Sequence, residues 1–108
     1  MSEKVIKINT EQRKRLHIAA VFSCNFTNYL FSISEEILTK GNSEFNLLLP
    51  IIKQTVEKLN NNKPSAVQTG PAKRGDIKVI QNHLNSLKDK QTREIYRLIS
   101  NAIMKNSE

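Results

Sequence analysis

The 108 residues contain no tryptophan, one cysteine, three glycines and three prolines, and each shortage removes a class of protein. A lone Cys24 can neither close an internal disulfide nor build a cysteine metal site, and it suits a reducing compartment. His17 and His83 show neither HxxxH nor HExxH spacing, so no metal centre is expected. Three glycines are too few for a nucleotide fold plus a substrate domain, and typical domain sizes leave room for only one core. No stretch approaches ~18 consecutive apolar residues. The start MSEKVIKINTEQRKRL lacks the apolar segment of a signal peptide. A soluble, cytoplasmic chain is expected. There is also no Gly-x-Ser-x-Gly elbow and no Cys–His pairing to suggest nucleophilic catalysis.

What is present is globular in balance: 38% hydrophobic and 25% charged residues, enough to bury roughly 60 to 65% of the unfolded surface. The net charge of +7 is uneven, with +3 on residues 1–15, −1 on 16–60 and +5 on 61–108. Nucleic-acid binding is therefore a rival function, since lysine and arginine neutralise phosphates. Against it, there is no helix-turn-helix spacing, no aromatic stacking platform and no arginine cluster. Twelve Asn and twelve Ile beside five Arg point to an AT-rich coding sequence, which discounts the lysine excess. A solvated basic face accounts for the charge.

The pattern along the chain is helical. Residues 1–9 alternate like a strand but have nothing to pair with, so they read as an extended arm. Thr10 stands as an N-cap, and a run free of Pro and Gly reaches Lys40, where Gly41 ends it. That predicts one helix over about 11–40, ~45 Å long. Its apolar residues are spread so widely that its middle should be surrounded by other elements. Asn42 or Ser43 caps a second apolar segment over 44–59, in which Pro50 kinks the helix or starts a new one. Residues 60–76 are rich in turn formers and read as the longest loop. Asp76 caps a helix over about 77–87, and Asp89 caps a last one over about 90–105. The fold class is all-α: four to five helices around one long central N-terminal helix, forming a single helical domain over 10–108.

Two constellations could carry chemistry. At about 100° per residue, His17 and Asn28 fall about 20° apart on the long helix, with Cys24 and Asn25 on the same side. One wall then holds an imidazole and two carboxamides, which either tie helices together or face a ligand. The second is QTGPAKRGD at 68–76. Gly70 and Gly75 are spaced as in a phosphate loop, yet Asp76 stands where that loop needs lysine, so a P-loop fails. Lys73 and Arg74 could still hold an anion ahead of a helix; alternatively Arg74 and Asp76 pair and fix the loop. Glu35 and Glu36 read as a solvated or helix-bridging pair.

The segments RKRLHIAAVFSCNFTNYLFSISEEIL, FNLLLPIIKQTVEKL, QTGPAKRGD and IYRLIS together resemble a bacterial family in which a Rossmann-type NAD(P)-binding domain precedes a helical C-terminal domain of unassigned function. The resemblance runs from about Gln12 to Ile103. It implies a domain similar to the C-terminal domains of 6-phosphogluconate dehydrogenase and pyrroline-5-carboxylate reductase. In such enzymes the long first helix faces the nicotinamide across the interdomain cleft. The resemblance thus implies His17 as proton donor with Lys58 second. Asn25 and Asn28 would contact substrate or nicotinamide, Thr69, Gly70 and Asp76 would lie nearby, and Arg74 would clamp an anion. NADP or NAD is implied for the full-length protein, with a small-molecule substrate, the protein's own Rossmann domain as partner, and a homodimer. No Gly-x-Gly-x-x-Gly is present, so no cofactor is expected on this chain alone. The sequence looks like an excised C-terminal half, Met1 to Glu3 being an added start, inactive without its Rossmann domain. The alternative is a stand-alone helical oligomerisation or interaction module.

Overall fold

The long first helix is begun by Asn9 rather than Thr10. In the computed structural model, which describes residues 8–107, the Asn9 side chain accepts the Gln12 N–H at 2.8 Å. The Gln12 side chain in turn accepts the Asn9 N–H at 2.9 Å. This reciprocal capping box needs an acceptor at the third helical position. A cap at Thr10 would have placed Arg13 there, which has only donors. Residues 1–7, most of the expected arm, lie outside the described residues.

The chain divides into two compact units, Met1–Leu47 and Leu48–Glu108. In the first, α1 (Thr10–Ala20) passes through a π-helical turn (Val21–Phe26) into α2 (Thr27–Lys40). Such a turn inserts about one residue into the helical count. The Thr27 hydroxyl donates to the Phe22 carbonyl at 3.3 Å across it, and the Phe22 and Phe26 rings meet edge to face at 5.0 Å. The helix ends in a Schellman arrangement, Ser43 N–H to Leu38 O at 2.9 Å and Asn42 N–H to Thr39 O at 3.1 Å. The left-handed residue is Asn42 (φ 60), not Gly41 (φ −97); asparagine is among the few side chains that tolerate this conformation. Asn42 therefore closes one helix and does not cap the next. A 3₁₀ turn (Phe45–Leu48) follows, and Phe45 meets Phe31 of α2 edge to face at 6.0 Å.

No residue of α1, the π turn or α2 is buried. Leu16 is 63% and Phe22 65% exposed. Within the first unit, none of the described residues surrounds this helix as expected.

In the second unit, α3 (Leu49–Glu57) is a new helix with Pro50 in its first turn, where a missing N–H costs nothing. Residues 60–76, expected as loop, are largely short helical turns: 3₁₀ turns at Lys58–Asn60 and Pro64–Val67, then α4 (Pro71–Arg74). Pro64 and Pro71 open two of them, so residues that forbid helix interiors serve as starts. Helices α5 (Ile77–Ser86) and α6 (Lys90–Lys105) have the expected caps. Asp76 accepts the Val79 N–H at 3.3 Å and Asp89 the Thr92 N–H at 2.9 Å. Ala72, Ile80 and Leu84 form the buried core, with Tyr96, Ile103 and Met104 packed against it. The Arg93 guanidinium donates to Leu84 O at 2.6 Å and Leu87 O at 3.4 Å, closing the end of α5. Among the described residues there is no strand, and the fold is all-α. No described helix is long and apolar enough to cross a membrane.

His83 of α5 and Tyr96 of α6 share a hydrogen bond of 2.8 Å between Nδ1 and the phenol. Burial raises the Tyr96 phenol above its usual pKa. A group whose folded pKa is raised contributes stability below its unfolded pKa and loses it as pH rises through the folded value. Unfolding by urea should therefore show stability falling more steeply above about pH 10 in the native chain than in Tyr96→Phe. Parallel pH profiles would contradict this.

Candidate functional site

The segment 68–76 is held by its glycines. Gly70 (φ 103) lies in a region few side chains enter, and Gly75 (φ 69) is left-handed, so the chain turns tightly on either side of α4. This drives Ala72 into the core, 6% exposed, and leaves Lys73 and Arg74 outside. The N–H groups of Arg74, Gly75, Asp76 and Ile77 already bond to the carbonyls of Gly70, Ala72, Pro71 and Gly75. These four amides are therefore not free for a phosphate, and Asp76 stands where a P-loop has lysine. Asp76 spends a carboxylate oxygen on α5, and no ion pair joins it to Arg74. The Arg74 guanidinium is thus available to an anion, while Thr69, five residues earlier, is exposed.

A hollow of about 180 Å³ lies by this segment, lined by Ser65, Gln68 and Lys73 and, from the end of α6, Ala102, Ile103 and Asn106. The terminal carbonyls of Ala102 and Ile103 are taken by Asn106 Nδ2 at 2.9 Å and Ser107 Oγ at 2.7 Å. A helix C-terminus is partly negative, which suits Lys73 and not an anionic ligand. Lys58 is exposed at the end of α3, and its carbonyl accepts Asn62 Nδ2 at 2.9 Å.

The remaining expected residues, His17, Asn25 and Asn28, are on the first unit, all exposed. The π turn lies between His17 and Asn28. One inserted residue rotates everything beyond it by about 100°, so the single wall inferred from regular helical spacing does not form. Asn28 instead belongs to a hollow of about 110 Å³ with Phe31, Ser32, Glu35 and Phe45. Ser32 Oγ donates to the Asn28 carbonyl at 3.5 Å, leaving the Asn28 carboxamide unengaged. Glu35 has no ion pair among the described residues: Glu36 is the one that meets Lys40, at 3.2 Å. Sequence reasoning set Glu35 aside with Glu36 as solvated. The signal that separates them is spacing, since Glu36 is four residues before Lys40 while Glu35 shares a face with Asn28 and Ser32.

The expected residues thus form two groups, His17, Asn25 and Asn28 on the first unit and Lys58, Thr69, Gly70, Arg74 and Asp76 on the second. Among the described residues no group of three or more His, Cys, Asp or Glu could hold a metal ion.

No curated protein matches the chain. Among solved structures it is similar to a crystal structure from Bacteroides fragilis, described as that of a candidate NADP oxidoreductase. The two share 43% sequence identity with a TM-score of 0.91, and the match covers 95% of this chain. It covers 40% of the Bacteroides chain, so the sequence spans about two-fifths of that protein's length. The family model for a domain of unknown function, DUF2520, matches residues 1–103. The segments singled out in the sequence, from the long helix through QTGPAKRGD to the last helix, all lie within that match, and the chain belongs to the DUF2520 family.

Proposed function

We propose that this chain is the substrate-binding and dimerisation domain of a cytoplasmic NAD(P)-dependent oxidoreductase, completed by a Rossmann-type domain that binds the cofactor. The observation that carries this reading is the 43% identity, over nearly the whole chain, to part of a candidate NADP oxidoreductase. The sequence has no Gly-x-Gly-x-x-Gly, so this reading assigns the dinucleotide's pyrophosphate to the other domain and a cleft wall to this one.

The cofactor would supply the hydride, and the domain would orient the substrate and handle a proton. His17 is the first candidate donor because imidazole is the side chain most often used as a general acid, with Lys58 second. Asn25 and Asn28 would hydrogen-bond the substrate or the carboxamide of the nicotinamide. Arg74 would hold an anionic group, with Thr69, Gly70 and Asp76 shaping its surroundings. In the two-domain protein, His17→Ala should lower turnover by about a hundredfold, the usual lower range for a lost general acid. Arg74→Ala should instead raise KM for an anionic substrate or cofactor. Steady-state consumption of NADPH across candidate small carbonyl, imine and hydroxy compounds reads both, and unchanged constants in both variants would remove these residues from the site.

The dimerisation half of the reading is supported by the first unit. Leu16, Phe22, Phe26, Tyr29, Leu30 and Ile37 are between 38% and 65% exposed. A standard interface buries ~800 Å² per partner, and exposed aromatic and aliphatic side chains of this kind supply its apolar part. Sedimentation of the chain at micromolar concentration should show a dimer, and a clean monomer would favour the Rossmann domain as the cover of this surface.

A further inference from the structure

The hollow on α2 has a chemistry of its own. The Schellman corner at Leu38, Asn42 and Ser43 turns the chain back, so that Phe45 meets Phe31 at 6.0 Å beside Glu35. The lining thus joins two aromatic rings to three oxygen-bearing side chains of α2, the Glu35 carboxylate, the Ser32 hydroxyl and the Asn28 carboxamide. Glu35 is the only ionised group in the lining, and no cation of the described residues neutralises it. A carboxylate accepts hydrogen bonds and cannot donate them. An anion is therefore repelled, and a neutral polar ligand leaves the exposed carboxylate to water.

We propose that this hollow binds the ammonium group of a small primary amine, with its alkyl stem on Phe31 and Phe45. An ammonium carries three donors and no acceptor. The two Glu35 oxygens and the Ser32 hydroxyl offer three acceptors within one helical turn. Asn28, further along α2, is left for a second polar group on a longer ligand. An amphipathic amine matches a lining that combines one carboxylate with two aromatic rings, and cation–ring attraction adds to the fit. A metal ion would engage the carboxylate but none of the aromatic surface.

As a substrate class, amines rest on the oxidoreductase reading above. As a binding statement the proposal stands on the hollow alone, and the two can fail separately. The probe is n-propylammonium, titrated at neutral pH into the isotope-labelled 108-residue chain without cofactor. Backbone amide shifts of Ser32, Glu35 and Phe45 and ring protons of Phe31 and Phe45 are followed by NMR. Saturable shifts are expected with propylammonium. 1-Propanol and Glu35→Gln should each weaken them at least about tenfold, the scale of a lost charge-assisted hydrogen bond. Propionate should give none, and Glu36→Gln should bind like the native chain. Equal binding of propanol would make the hollow merely apolar and overturn the proposal. So would full affinity in Glu35→Gln, or shifts equally produced by potassium. Amine binding in a two-domain protein that fails to consume NADPH would defeat the oxidoreductase reading and leave the amine site standing.

Discussion

Replacing Leu84 by alanine is expected to lower the free energy of unfolding by about 3 kcal/mol, while Leu98→Ala changes it by less than about 0.5 kcal/mol. Both leucines are in the second unit, on neighbouring helices. Leu84 is 5% exposed and Leu98 73%. Among the described residues only Ala72, Ile80 and Leu84 are buried hydrophobes, and Tyr96, Ile103 and Met104 pack on them. Truncating Leu84 leaves a cavity in a cluster with few members to close it. The loss also reaches the backbone, because Leu84 O accepts the Arg93 guanidinium at 2.6 Å and a collapsing α5 would strand that donor. Domains are stable by only ~5 to 15 kcal/mol in total, so the variant should show a clear drop in its urea midpoint by circular dichroism. A large effect at Leu98 would mean that this face is covered in solution and that the exposed surface of one chain misstates its environment.

The parts of the fold legible in the sequence were those set by local hydrogen bonding. Asp76 and Asp89 mark the starts of α5 and α6 because a carboxylate can satisfy only the N–H groups just ahead of it. Proline marked the start of α3 for the same kind of local reason. Where two residues compete for one role, the sequence misleads. Asn9 takes the cap from Thr10 through its partner Gln12. Asn42 takes the left-handed position from Gly41, one residue later than a glycine rule places it. The π turn was invisible, since reading faces at a fixed angle presumes an unbroken helix, and this error regrouped the site. His17 and Asn28 looked like one wall. The extra residue between them separates their directions, and the corner after Lys40 gives Asn28 a different neighbour, Phe45. The polar partner that sequence reasoning passed over, Glu35, differs from Glu36 only in where Lys40 lies. In the segment 68–76 the motif was plain, but its central alanine proved to be core rather than cleft. Gly70 and Gly75 thus serve packing as well as any ligand.

Replacing Phe22 or Leu16 by glutamate should weaken self-association at least about a hundredfold, equivalent to ~2.7 kcal/mol, without loss of helix content. The argument begins from exposure. Phe22 is 65% and Leu16 63% exposed on a helix with no buried residue, so a charge at either position meets solvent in an isolated chain. Surface changes of this kind cost a fold little. Phe22→Glu also breaks the edge-on contact with Phe26 at 5.0 Å, worth about 1 kcal/mol. Leu16→Glu has no ring contact to lose and separates the two causes. In a dimer closed over this helix the same glutamates would be dehydrated without a paired cation, and unpaired buried charge is among the costliest changes an interface can suffer. Symmetry doubles the effect, because each copy brings its own glutamate to the shared surface. Sedimentation over a concentration series, read beside circular dichroism of the same samples, distinguishes dissociation from unfolding. Dimers that persist undiminished in both variants would place the contact on the second unit, where Leu98 and Ile51 are the most exposed large apolar side chains among the described residues at 73% and 62%.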